Sequence, residues 1–92
     1  MIELVKVEKI EALSGYRLRL FFSNGRQGIH DFADLVQSSG PMIEPLKDAT
    51  LFQKAFVSFG VPTWPNGFDV DAIALYREMD AAGELSSATE AA

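Results

Sequence analysis

The sequence predicts an α+β domain: an antiparallel sheet of three to four strands with two to three short helices packed on one face. Three observations predict it. Strand-like alternation fills the first third of the chain, Asn-Gly pairs mark tight turns at Asn24-Gly25 and Asn66-Gly67, and helix-like stretches follow the strands rather than alternate with them.

Residues 16–22 carry the clearest period of two. Tyr16, Leu18, Leu20 and Phe22 share one face, and Arg17, Arg19 and Phe21 share the other. Residues 4–12 alternate less regularly, because Lys9-Ile10 breaks the phase, so a strand with a bulge near Lys9 is expected. Ser14-Gly15 marks the turn between these two strands. Ser23-Asn24-Gly25 predicts a tight hairpin, since Asn-Gly tolerates the positive φ angles of primed turns. A third strand over about 26–30 then completes a meander.

Asp31 is placed to cap a short helix through Val36, ended by Ser38-Ser39-Gly40-Pro41. Residues 42–46 are expected to be extended, and Asp48 to open a second short helix over about 49–54. Residues 55–61, rich in Phe and Val, read as a fourth strand. Asp69 or Asp71 caps a last helix through Met79, with Ile73, Tyr76 and Met79 along its stripe. The domain therefore spans residues 1–80, and residues 81–92, small and polar, are expected to form a flexible C-terminal tail.

Ninety-two residues suffice for one domain with a modest core, and 48% hydrophobic content is a globular value. Cysteine is absent, which excludes disulfides, thiolate metal sites and thiol nucleophiles and fits a cytoplasmic setting. No signal peptide is visible at the N-terminus, and the longest uncharged run, residues 55–68, is too short and too broken by Gly and Pro to cross a membrane. Net charge is −5 but uneven: residues 1–30 carry +2 and residues 31–92 carry −7. An acidic chain argues against binding a polyphosphate, so no direct nucleic acid binding is expected.

Candidate chemistry is sparse. His30 beside Asp31 could form a general-base pair, since imidazole titrates near neutrality and a carboxylate can orient it; a strand-end histidine next to a capping aspartate explains the same residues. Asp69 and Asp71 could face a cation, but helix capping accounts for them, and one histidine without cysteine leaves zinc poorly served. Gly25 and Gly28 lack the third glycine of a dinucleotide loop, and no Gly-x-Ser-x-Gly elbow is present. No catalytic residue, metal or cofactor is expected. Arg17, Arg19 and Phe21 form a cation-and-aromatic strip that suits either a partner or cross-strand pairing with Glu8 and Glu11. Trp64, the only tryptophan, suits a core anchor or an interface.

The strand 16–22, the turn Ser23-Asn24-Gly25, Ile29-His30-Asp31-Phe32, Pro45-Leu46-Lys47-Asp48, Leu51-Phe52 and the segment Thr63-Trp64-Pro65-Asn66-Gly67-Phe68-Asp69 together resemble domain-of-unknown-function family 2442, over about residues 4–76. The most distinctive motif residues are Trp64, Pro65, Asn66, Gly67 and Asp69. Asn24 departs from an Asp common in that family's turn, and Val61-Pro62 interrupts the approach to Trp64. The resemblance implies an α+β domain without established catalytic residues. Similar domains occur alone or joined to a C-terminal helix-turn-helix segment, often beside another small gene as in toxin–antitoxin pairs. This chain ends too early to hold such a segment, so if the domain is regulatory its DNA-reading part is expected to be missing or to belong to something else.

The leading expectation is a non-enzymatic protein-interaction domain, the regulatory or antitoxin-like member of a small paired-gene system. Its candidate residues are Arg17, Arg19, Phe21 and Trp64, and its expected partners are a second copy in a homodimer and a neighbour-encoded small protein. The rival is a small-ligand-binding or catalytic domain using His30, Asp31 and Asp69. Nucleic acid binding through Arg17, Arg19 and Arg26 ranks below both on charge.

Overall fold

The structure, a computed structural model, describes residues 4–87. In chain order its elements are β1 (Val7–Ala12), β2 (Arg17–Phe22), β3 (Arg26–Asp31), α1 (Ala33–Gln37), a 3₁₀ turn (Glu44–Lys47), α2 (Ala49–Phe52), β4 (Phe56–Ser58), β5 (Val61–Thr63), α3 (Ala72–Ala81) and β6 (Leu85–Ser87). The α+β class is as the alternation and element order predict. A four-stranded antiparallel sheet runs β1-β2-β3-β6, and β4 and β5 form a separate two-stranded hairpin.

Register follows from the turns. Asn24-Gly25 closes β2 onto β3 with Leu18 opposite His30, Arg19 opposite Ile29 and Phe21 opposite Gln27. Between Val7 and Lys9 the register of β1 shifts, so the bulge lies where the broken alternation puts it, and Lys9 comes to lie opposite Phe21. Leu18, Leu20 and Phe22 thereby all point to one face and are buried there. The helices and the hairpin cover that face. Phe22 meets Tyr76 edge-on at 5.2 Å, and Phe52 lies 5.4 Å from Trp64 at the centre of the core. Each such side chain withdrawn from water stabilises the fold by about 1.5–3 kcal/mol.

Helix starts obey local chemistry. Asp48 accepts from the Thr50 N–H and Asp71 from the Ala74 N–H, both at 2.9 Å, so Asp71 rather than Asp69 caps the last helix. Asp31 Oδ1 accepts from the Ala33 N–H at the entrance to α1, although the residue in the cap position is Phe32. The buried stripe of α3 is Ala72, Leu75, Tyr76 and Met79, one step round from the expected one, with Ile73 only half-buried.

Three expectations are corrected. Residues 44–47 coil into the 3₁₀ turn rather than extend, because Pro45 suits a first helical turn and Leu46 is thereby buried. Residues 55–61 do not form the sheet's fourth strand: the chain reverses at Phe59-Gly60 and pairs β4 with β5 instead. The fourth strand comes from the expected tail. Gly83, at φ 73°, releases the chain from α3, and Leu85–Ser87 pair with Arg26–Gly28. Residues 88–92 of that tail lie outside the described residues.

Candidate interaction face

Strand alternation sends Arg17, Arg19 and Phe21 to the face of the sheet opposite the core, and the neighbouring strands complete the surface. Lys9 and Gln27 flank Phe21, while Glu11 and Ile29 flank Arg19. The Lys9 ammonium sits 5.2 Å from the centre of the Phe21 ring, a cation–π contact that covers an otherwise exposed aromatic. Arg19 Nη1 donates to Glu11 Oε1 at 3.2 Å, and Lys9 Nζ lies 3.4 Å from Glu11 Oε2. One carboxylate therefore serves two cations. Of the two pairings expected for the arginines, only that of Arg19 with Glu11 forms.

Arg17 turns back on its own hairpin. Its Nη2 donates to Ser14 Oγ at 2.8 Å and its Nε to the Ser14 carbonyl at 3.3 Å, and among the described residues it has no ion-pair partner. The face holds Lys9, Arg17 and Arg19 against Glu11 and Asp31, so it is locally positive on an acidic chain. Beside it opens a shallow concavity of about 570 Å³, lined by Arg19, Gln27, Gly28, Ile29, Glu84 and Ser86. Lys9, Gln27 and Ile29 belong to this surface and were not singled out by sequence reasoning. The bulge at Lys9 and the register set by Asn24-Gly25 are the signals that could have found them.

The other sequence candidates go elsewhere. Trp64 is fully buried, and its Nε1–H donates to the Phe52 carbonyl at 2.9 Å, so it is the core anchor and is absent from the surface. The motif around it is a bracket. Gly67 N–H donates to the Trp64 carbonyl at 2.9 Å, and Asn66 Nδ2 donates to the Met42 carbonyl at 2.8 Å, tying two loops together. Pro65 and Asp69 are exposed, and Asp69 forms an isolated bridge with Thr63. With Trp64 inside and Phe21 under Lys9, both aromatic side chains are covered within the chain.

His30 and Asp31, neighbours on a strand, point to opposite faces and do not form a pair. His30 lies on the core side, its Nδ1 2.8 Å from Glu84 Oε1 and its Nε2 4.0 Å from Glu78 Oε1, with its ring edge-on to Phe32 at 4.7 Å. This arrangement fastens α3 and the start of β6 to the sheet. Arg26 does the same at the other end. Its Nη1 donates to the Tyr76 hydroxyl and to Asp80 Oδ1, both at 3.1 Å, and its Nη2 to the Leu85 carbonyl at 3.4 Å. The hydrogen bond to Tyr76, then that to Asp80, raises the Arg26 pKa above its ordinary value. Arg26 is thus separated from Arg17 and Arg19. Among the described residues no three His, Asp or Glu side chains are grouped to hold a metal ion, and no helix is long and apolar enough to cross a membrane.

Fold and surface together define a small α+β domain with one helix-covered sheet face and one open, locally basic face. Residues 7–81 match the family model described as "Protein of unknown function (DUF2442)", and the chain belongs to that family. No curated protein matches it. It is similar to the crystal structure of a putative DNA-binding protein from Nitrosomonas europaea, with a TM-score of 0.67 and 26% identity, over 89% of this chain and 56% of that one. The chain thus spans little more than half the length of that protein. This likeness overturns the expectation, drawn from net charge, of no direct nucleic acid binding. Net charge averages over the molecule, whereas the fold gathers Lys9, Arg17 and Arg19 on one face away from most of the acids.

Proposed function

We propose that this domain is a non-enzymatic recognition module of a DNA-associated regulatory system, engaging a partner protein through the open sheet face. The observation that carries the reading is that face itself: Arg17, Arg19 and Phe21 in a row along β2 with Lys9 over the Phe21 ring, beside a concavity lined by Ile29 and Gln27. Interfaces favour this mixture, in which arginine supplies directional donors and an aromatic ring supplies apolar area. The charge of the face suits an acidic segment on the partner. The non-enzymatic part of the reading is supported by the structural employment of His30 and Asp31, engaged in fastening and capping on opposite sides of the sheet.

The antitoxin-like role in a paired-gene system belongs to the same proposal, with the neighbour-encoded protein as the partner. Recovery of the native complex from its own cell tests it. A copurifying protein whose binding falls with Arg17→Ala and Arg19→Ala supports the reading. A second reading, in which the same face touches DNA, is favoured by the likeness to the Nitrosomonas protein. Duplex binding by the purified chain, weakened by the same two substitutions and by salt, would assign the face to DNA instead.

A further inference from the structure

The β4–β5 hairpin carries a feature that the sheet face does not use. Its two-residue loop is Phe59-Gly60, with φ of 51° and 77°. Positive φ at both positions is the requirement of a type I′ turn, which Asn-Gly meets with little strain and a phenylalanine does not. Phe59 is the one non-glycine residue with positive φ among those described. Its side chain is 101% exposed, so the ring gains nothing from the core in return. A residue that fits neither its backbone nor its solvent points to a contact outside the chain.

The surroundings of the tip give that contact a chemistry. The hairpin is held firmly, since the Val7 N–H donates to the Gly60 carbonyl at 2.8 Å. The carbon stem of Lys6 lies against Gly60, at 3.0–3.1 Å from where a Cβ would stand. Lys6 is exposed and has no ion-pair partner among the described residues. A protruding ring, and beside its turn an ammonium with no ion pair among the described residues, complement an apolar pocket with an acidic rim.

We infer that Phe59 is a docking knob that inserts into an acid-rimmed apolar pocket of a partner protein, with Lys6 pairing the rim. The contact is independent of the open sheet face. A rigid hairpin presents the ring with little ordering entropy, as a binding hot spot requires.

The full chain carrying the photo-crosslinker p-benzoylphenylalanine at position 59 tests this in its own cell, followed by titration of the crosslinked protein, purified, against variants. The expected result is a crosslink to a different protein, whose affinity falls about tenfold or more with Phe59→Asn and falls also with Lys6→Glu. Phe59→Asn is expected to raise the melting temperature by about 4 °C, because asparagine relieves the left-handed backbone. A lower melting temperature would make Phe59 a structural residue and overturn the inference. So would a crosslink only to a second copy of this chain, a crosslink only to nucleic acid, no crosslink, or unchanged affinity in Phe59→Asn.

Discussion

Gly28 lies so close under Glu84 that a methyl group on its Cα would stand 2.2 Å from the Glu84 carbonyl oxygen and 3.1 Å from the Met79 methyl carbon. The absence of a side chain at this one position lets the end of α3 descend onto β3 and lets Leu85–Ser87 join the sheet. Gly28→Ala is expected to destabilise the domain by about 1–3 kcal/mol, by overpacking. Hydrogen exchange checks the mechanism: amides of residues 85–87 should lose protection while those of β2 keep theirs. Retained protection at 85–87 would show that the approach is looser than it stands here.

Trp64 and Phe52 share the one indole hydrogen bond of the core. Trp64→Phe keeps an aromatic ring but removes the donor, leaving the Phe52 carbonyl only the longer bond from the Ala55 N–H at 3.3 Å. The expected loss is about 1 kcal/mol for the hydrogen bond, read by urea denaturation followed by circular dichroism. Binding at the open sheet face should survive, because Trp64 is on the opposite side. Loss of binding in a folded Trp64→Phe variant would restore the tryptophan to the interface.

His30→Ala removes the contact to Glu84 and the ring packed on Phe32. Stability should drop by about 1–2 kcal/mol, with β6 loosened, and partner affinity should stay within about twofold. Abolished function at unchanged melting temperature would instead promote His30 to a site residue.

The sequence reveals most where local chemistry decides. Alternation over Tyr16–Phe22 gives both faces of β2, Asn24-Gly25 gives the register of β3, and Asp48 and Asp71 announce their helices. It fails where contacts distant in sequence decide. Nothing near Leu85 says that it will pair with Gly28, a residue 57 positions earlier, because the strand is three residues long and its place depends on the bare Gly28 surface. The turn at Phe59-Gly60 is hidden for a different reason: phenylalanine is a strand former, and here it occupies a turn position. In the candidate face, Arg17, Arg19 and Phe21 follow from periodicity, whereas Arg26 breaks ranks because its partner is Tyr76 on α3, 50 residues away.

Recognition by the open sheet face can be tested on the arginines alone. Binding of the purified partner to the Arg17→Glu, Arg19→Glu double variant, measured by titration calorimetry beside thermal unfolding, tests it most directly. At least a tenfold loss of affinity is expected, with a melting temperature within about 3 °C of the parent, since both side chains are outside the core. Parent-like affinity in a fully folded double variant would contradict it and move recognition away from this face.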